Sequence, residues 1–286
     1  MTWKEAWQMG TQTLEKAGVE EYQLDAWYLL EYVTGITKTS YYMEPEHPMH
    51  EQEVREYLEL IQKRSTRIPL QHLTGVQEFM GLEFAVNEHV LIPRQDTEML
   101  VETALEVCSR EQVQKLHLLD MCTGSGCILL SILHELSART ATGVGVDLSK
   151  AALDIAKENA KKLGIDAEFL ESDLFAKVEG TYDMIVSNPP YIRTSVIETL
   201  QKEVKEHDPI LALDGKEDGL YFYREIIKAA AAYLKKTGWL LFEIGFDQAE
   251  DVKKMMEQAG YTRVSVKKDL AGLDRVVFGV YDRKDE

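Results

Sequence analysis

The chain has 286 residues, is 28% charged and 45% hydrophobic, and carries a net charge of −17. That composition is ordinary for a globular protein with room for two domains. Its acidity speaks against a DNA or RNA duplex as partner, because duplex binding usually needs a basic footprint to displace counterions from phosphates.

The polar start, Met1-Thr-Trp-Lys-Glu-Ala-Trp7, has no apolar signal-peptide core, and no run of about 18 apolar residues follows. The expected compartment is the cytoplasm, with no membrane partner. Residues 1–74 read as an all-helical domain. Trp3, Ala6, Trp7 and Leu14 recur at helical spacing. A second apolar run, Leu24–Val33, stops at Gly35. A third helix, Glu51–Arg67, shows Val54, Leu58 and Ile61 on one face and ends before Pro69. Residues 75–95 read as a linker built on a β-hairpin, from Val76-Gln-Glu-Phe-Met80 and Leu82-Glu-Phe-Ala-Val86 around Gly81.

Strands and helices alternate over residues 96–286. Helix Asp96–Val107 precedes strand His117–Met121, helix Gly126–Arg139 precedes strand Thr142–Val146, and helix Lys150–Leu163 precedes strand Ala167–Leu170. Strand Tyr182–Ser187, helix Tyr221–Lys235, strand Trp239–Ile244 and helix Gln248–Gln258 follow. This α/β pattern predicts a doubly wound, mostly parallel sheet with ligands at the carboxyl ends of its strands. The last two β-rich runs, Thr262–Lys267 and Arg275–Tyr281, are too close for a parallel crossover and must pair as an antiparallel hairpin.

The most informative stretch is Leu118-Leu-Asp-Met-Cys-Thr-Gly-Ser-Gly-Cys-Ile-Leu-Leu130. A strand ends at Asp120 and enters a turn, Cys122-Thr123-Gly124-Ser125-Gly126, that leads into an apolar helix. Glycines let a ligand approach the main chain, and the helix start offers unpaired N–H groups to an anionic group. The third glycine of a nicotinamide-binding fingerprint is absent, since Leu129 stands there. S-adenosylmethionine fits better. Its carboxylate can use the helix start, while its ammonium and sulfonium favour a nearby acid such as Asp120. Asp147, 21 residues after Gly126 at the end of the next strand, is placed to accept from ribose hydroxyls. Ser149 is the better cap for the helix that follows. After the third strand, Asp173 can accept from the adenine amino group, with Leu174 or Phe175 packing on the ring.

The fourth strand ends at Asn188-Pro189-Pro190-Tyr191. Two prolines fix this loop and remove two N–H donors. The Asn188 side-chain oxygen and the Pro189 carbonyl can accept the two hydrogens of one substrate NH2 group, and Tyr191 can stack on a planar group. A conjugated amide or aryl amine nitrogen is a poor nucleophile, and gripping its hydrogens positions it and stabilises positive charge as it develops. Asn188, Pro189 and Tyr191 are therefore the candidate catalytic residues. Residues 188–191 are the candidate substrate site. Cys122–Gly126, Asp120, Asp147, Asp173, Leu174 and Asn188 form the candidate cofactor site. No metal is expected. The cysteines Cys108, Cys122 and Cys127 form no Cys-x-x-Cys pair and read as small residues in tight places, and His47 and His50 have no third ligand nearby.

Asn-Pro-Pro-Tyr with the Asp-x-x-Thr-Gly-Ser-Gly turn resembles the amino-methyltransferases. More narrowly, the chain resembles the release factor glutamine N(5)-methyltransferases, the HemK/PrmC family. The likeness runs nearly end to end, through Leu91-Ile-Pro-Arg-Gln-Asp-Thr-Glu98, Asn188-Pro-Pro-Tyr-Ile192, Asp214-Gly-Lys-Glu-Asp-Gly-Leu220, Phe242-Glu-Ile-Gly245 and Asp269-Leu-Ala-Gly-Leu-Asp-Arg275. It implies a Rossmann-like, seven-stranded class I methyltransferase domain behind the helical domain, with S-adenosyl-L-methionine as cofactor. The implied substrate is the glutamine of the Gly-Gly-Gln loop in peptide chain release factors. The chain departs from the family pattern at Gln95, usually proline, at Asp208-Pro209, usually Glu-Pro, and at Leu174, often aromatic. A DNA or RNA adenine amino-methyltransferase would use the same loop and flip its base out, and a non-catalytic cofactor-binding module would keep only the glycine turn.

Overall fold

The computed structural model describes residues 1–282. In chain order the elements are α1 (Trp3–Lys16), α2 (Tyr22–Thr34), α3 (Lys38–Met43), α4 (Glu51–Ser65), α5 (Leu70–Thr74), β1 (Val76–Phe79), β2 (Leu82–Ala85), α6 (Gln95–Arg110), β3 (Lys115–Met121), α7 (Cys127–Glu135), β4 (Thr140–Asp147), α8 (Lys150–Leu163) and β5 (Glu168–Glu171). A short 3-10 turn, Leu174–Lys177, then precedes β6 (Tyr182–Ser187), α9 (Thr194–Ile197), α10 (Lys202–His207), α11 (Ile210–Leu213), α12 (Tyr221–Tyr233), β7 (Leu234–Glu243), α13 (Ala249–Gln258), β8 (Tyr261–Lys268) and β9 (Asp274–Tyr281). They form two compact units. One comprises Met1–Val76 with Gln201–His207, the other Gln77–Leu200 with the chain from Asp208 onward.

The first unit is all helical. Its first helix starts with a capping box, in which Glu5 N–H donates to Thr2 Oγ1 and Thr2 N–H donates to Glu5 Oε2. Ala6, Gly10 and Leu14 form its buried stripe. Gly10 is required by packing, because a Cβ there would collide with the Tyr57 hydroxyl of α4. Gly35 ends α2 in the left-handed conformation, at φ 69°. The core-facing side of α4 includes the expected Val54, Leu58 and Ile61, of which Ile61 is buried and the other two half-buried, and extends to the buried Tyr57, Leu60 and Arg64. Arg64 lies inside, compensated by Asp25 at 2.7 Å and by Glu203 of α10 at 3.0 Å. Arg67 also donates to Glu203, Nε to Oε1 at 2.6 Å. Burial pushes the Glu203 pKa up, but Arg67 and Arg64 outweigh that and hold it at about 2.

The second unit opens with the β1–β2 hairpin and is built on one seven-stranded sheet, in the order β5-β4-β3-β6-β7-β9-β8. Every pairing from β5 to β7 is parallel, and β9 runs antiparallel to both neighbours. The antiparallel strand is thus the last in sequence, as its short connection required, but it lies inside the sheet and leaves β8 at the edge. Element bounds shift by a few residues from expectation. The first turn helix, α7, ends at Glu135 rather than Arg139, and α12 stops at Tyr233 because Leu234 already begins β7. Leu129, which replaces the third fingerprint glycine, fits because the notch is on the opposing strand. A Cβ on Gly143 of β4 would lie 2.5 Å from Leu129 Cδ1. The chain runs outward from β3 to β4 and β5, then returns to β6 on the other side of β3. That reversal opens a crevice between the carboxyl ends of β3 and β6. Met121 and Ser187, the last residues of these strands, are register partners, and Ser187 Oγ donates to the Met121 carbonyl at 2.6 Å. Cys122 and Asn188 therefore start side by side.

Candidate functional site

A cavity occupies this crevice. Its floor is Cys122, Thr123, Gly124 and Ser125 after β3, Asp147 at the end of β4, Asp173 and Leu174 after β5, and Asn188 and Pro190 after β6. Leu91, Pro93, Arg94, Thr97, Pro209, Leu211 and Phe222 also line it.

The turn after β3 has the backbone that the sequence pattern demands. Gly124 and Gly126 have φ of 55° and 80°, and Cys122 holds φ 63° despite its side chain. A Cβ on Gly126 would lie 3.2 Å from Ala156 of α8, so this glycine lets α8 close against the turn. Asp147 ties the two halves of the floor together. Its Oδ2 accepts from Gly124 N–H at 2.9 Å and its Oδ1 from Ser149 N–H at 2.8 Å. Burial raises its pKa, and these backbone donors oppose the rise. Ser149 caps α8, accepting from Ala152 N–H. Asp120 does not reach the cavity wall. It is fully buried, and its Oδ2 accepts from the Thr123 hydroxyl at 2.6 Å. Burial lifts its pKa to about 7, partly countered by that hydroxyl. Asp120 braces the turn from behind, and Gly126 also lies off the wall. Leu174 faces the cavity with φ 47°, whereas Phe175 stacks on Tyr233 in the core. Burial raises the pKa of the Cys122 and Cys127 thiols, the latter to about 12, which disfavours their thiolate forms.

Residues 188–191 form the other side. Asn188 is half-buried, and its Nδ2 donates to Thr97 Oγ1 at 3.3 Å. Pro189 and Pro190 are buried, and only Pro190 lines the cavity. Tyr191 does not line it. Its hydroxyl donates to Glu243 Oε1 at 3.3 Å, and burial raises its pKa well above the usual phenol range. The loop is held from below by Gln248, whose Nε2 donates to the Tyr191 and Gly219 carbonyls, each at 3.1 Å.

The helical region matches the model of the PrmC N-terminal domain over residues 5–75, and residues 95–216 match that of the methyltransferase small domain. A release factor glutamine methyltransferase of Agrobacterium fabrum is 40% identical over 92% of this chain and 92% of its own length. That of Geobacter sulfurreducens is 41% identical over 93% and 92%. The chain belongs to the release factor glutamine methyltransferase family. It is an enzyme with the class I methyltransferase fold. A methyltransferase of Pyrococcus furiosus shares that fold at 14% identity, with a TM-score of 0.51 over 71% of this chain and 90% of its own.

Several segments that carry the family likeness are held by ion pairs and hydrogen bonds. Arg94 donates from Nη2 to the fully buried Asp208 carboxylate at 2.8 Å, so the aspartate in the usual glutamate position still reaches its arginine. Glu98 Oε1 accepts from Met80 N–H at 2.8 Å. Arg275 bonds Asp269 at 2.9 Å and Asp96 at 3.0 Å. Asp96 thus serves this ion pair, and Arg94 takes the cap position of α6 without a side-chain cap bond. Sequence reasoning missed Thr97, Glu243 and Gln248. Their only signal was membership of, or closeness to, the segments Leu91–Glu98 and Phe242–Gly245.

Proposed function

We propose that the protein transfers a methyl group from S-adenosyl-L-methionine to the side-chain amide nitrogen of the glutamine in the Gly-Gly-Gln motif of peptide chain release factors. One observation carries the reading. Thr97 engages the Asn188 amide through its NH2, and Oδ1 is thereby left as an acceptor beside a cavity floored by a glycine turn and Asp147. The floor suits the cofactor. Left-handed Gly124 leaves the main chain open to close approach, and Asp147 keeps lone pairs for ribose hydroxyls beyond its two backbone bonds.

S-adenosyl-L-methionine, when bound, supplies an electrophilic methyl group. The chain does the rest. Asn188 Oδ1 accepts a hydrogen of the substrate amide, aims its nitrogen and stabilises the positive charge that grows on it, and the Pro189 carbonyl, which lies off the cavity wall in this structure, is proposed to take the second hydrogen. The amide gives up one proton after its nitrogen is methylated, so no strong base is needed beforehand. Asp173 and Leu174 would take the adenine. The helical domain, residues 1–74, is proposed to dock the release factor, with residues 75–95 as linker and 96–286 as the transferase domain. Such a substrate places the enzyme in the cytoplasm.

Labelled methyl transfer tests this reading with a release factor, a DNA duplex and buffer alone. Label should appear on the release-factor glutamine. Label on DNA alone would replace the proposal with adenine methylation. Asn188→Ala should cut turnover by about 10³-fold while cofactor affinity falls only modestly. Full turnover by that variant would show that the clamp is misplaced.

A further inference from the structure

We propose that Gly215 and Gly219 are positioning residues, and that the loop around them is a main-chain template that sets the place of Asn188 through Tyr191. The inference rests on the amide-clamp reading above and concerns what holds the clamp in place.

The segment Asp214–Leu220 carries family likeness, yet none of its residues lines the cavity. It bonds instead to the main chain that follows the clamp. Ile192 N–H donates to the Leu213 carbonyl at 3.0 Å, Gly215 N–H to the Ile192 carbonyl at 2.8 Å and Thr194 N–H to the Lys216 carbonyl at 3.0 Å, so the two segments are joined in parallel. Asp214 fastens the join. Its Oδ1 accepts from the Thr194 hydroxyl at 2.6 Å and from Lys216 N–H at 2.9 Å. The two glycines, both buried, bring this loop against Tyr191. A Cβ on Gly215 would lie 2.7 Å from both Tyr191 Cα and its carbonyl carbon. A Cβ on Gly219 would lie 2.5 Å from the Tyr191 carbonyl oxygen and 2.7 Å from Gln248 Nε2. The atoms of Tyr191 that would be struck are main-chain atoms, which cannot swing aside as the tip of a side chain can. Gly215 holds no left-handed angle, so contact alone excludes a side chain there. Gln248 pins the same place by donating to the Tyr191 and Gly219 carbonyls. A displacement of Tyr191 reaches Asn188, because only Pro189 and Pro190 stand between them and their rings fix φ. Misplacing a gripping group by about 1 Å can cost about 10²-fold in rate.

The test measures kcat for Gly215→Ala with release factor and saturating S-adenosyl-L-methionine, in the native chain and again in Asn188→Ala. The variant should lower kcat about 10- to 100-fold in the native chain, with cofactor affinity by calorimetry unchanged. In Asn188→Ala the same change should cost less than about 3-fold, because no clamp is left to place. Gly180→Ala is the control. Gly180 has φ 81° and open space where a Cβ would stand, so it adds backbone strain without touching Tyr191, and its kcat should stay native. If Gly215→Ala does not fold, Asp214→Ala takes its place. It loosens the join without adding an atom and should lower kcat about 5-fold, again only where Asn188 is present. The proposal is overturned by equal losses with and without Asn188, by a loss in Gly180→Ala as large as in Gly215→Ala, or by a matching loss of cofactor affinity. Native kcat in Gly215→Ala, or in Asp214→Ala where that stands in, beside a dead Asn188→Ala would sink this inference alone. An active Asn188→Ala would sink the clamp and this inference together.

Discussion

The two sides of the crevice are built differently. The floor after β3 and β4 is made of short contiguous pieces, Cys122–Gly126 and Asp147–Ser149, which bond to one another through main-chain donors. The side after β6 starts from four contiguous residues, yet every bond that fixes them comes from elsewhere in the chain: Thr97 on α6, Glu243 at the end of β7 and Gln248 before α13. A site that reads main-chain geometry can be written in one motif. A site that must orient a single side-chain amide needs partners that only the tertiary fold brings together.

The sharpest test of this contrast is Asp147→Ala, which removes a carboxylate from the contiguous side. Cofactor affinity, read by calorimetry, should fall about 10²-fold through loss of charged hydrogen bonds, with kcat at saturating cofactor nearly native. A kcat loss matching that of Asn188→Ala would mean that the two sides do not divide the work.

The helical unit is also held by partners distant in sequence, and Glu203 tests it there. Glu203→Gln should destabilise that unit by about 2 kcal/mol at pH 7, read by denaturant unfolding. Because the folded pKa of about 2 lies below the ordinary 4.5, the native stabilisation is complete above about pH 4.5 and fades as pH falls toward 2. The variant should lack that acid-sensitive component, and a parallel acid profile would break the prediction.

The smallest effect is expected from Gln248→Ala. It frees the Tyr191 and Gly219 carbonyls and should slow turnover about 10-fold, by loosening the loop rather than removing a reacting group. Cofactor affinity should not change. A shift in cofactor affinity instead would show that Gln248 supports the floor.

What was legible in the sequence follows the same division. Alternating apolar runs and glycine stops report the sheet, because a buried parallel strand is an uninterrupted apolar stretch and its neighbours are helices. The hairpin of β8 and β9 was readable from chain length alone, but the insertion of β9 between β7 and β8 depends on packing and was not. The place of Asp147 on the cavity was legible because it ends a strand. The burial of Asp120 was not legible, because an acid beside a turn looks the same whether it faces the cavity or bonds to Thr123 behind it. The apolar part of the α4 face was legible, but the burial of Arg64 beside it was not, because only Asp25 and Glu203 make that burial tolerable.

The return of residues 201–207 to the helical unit has a practical consequence for anyone dividing this protein. Cutting the chain after residue 75, where the folds change character, would sever the amino-terminal helices from Glu203. Arg64 would keep Asp25, but Arg67 would lose its carboxylate partner. A fragment meant to carry the helical unit alone must have residues 201–207 grafted onto it, or supplied as a peptide in trans, before its stability or its affinity for any ligand means anything.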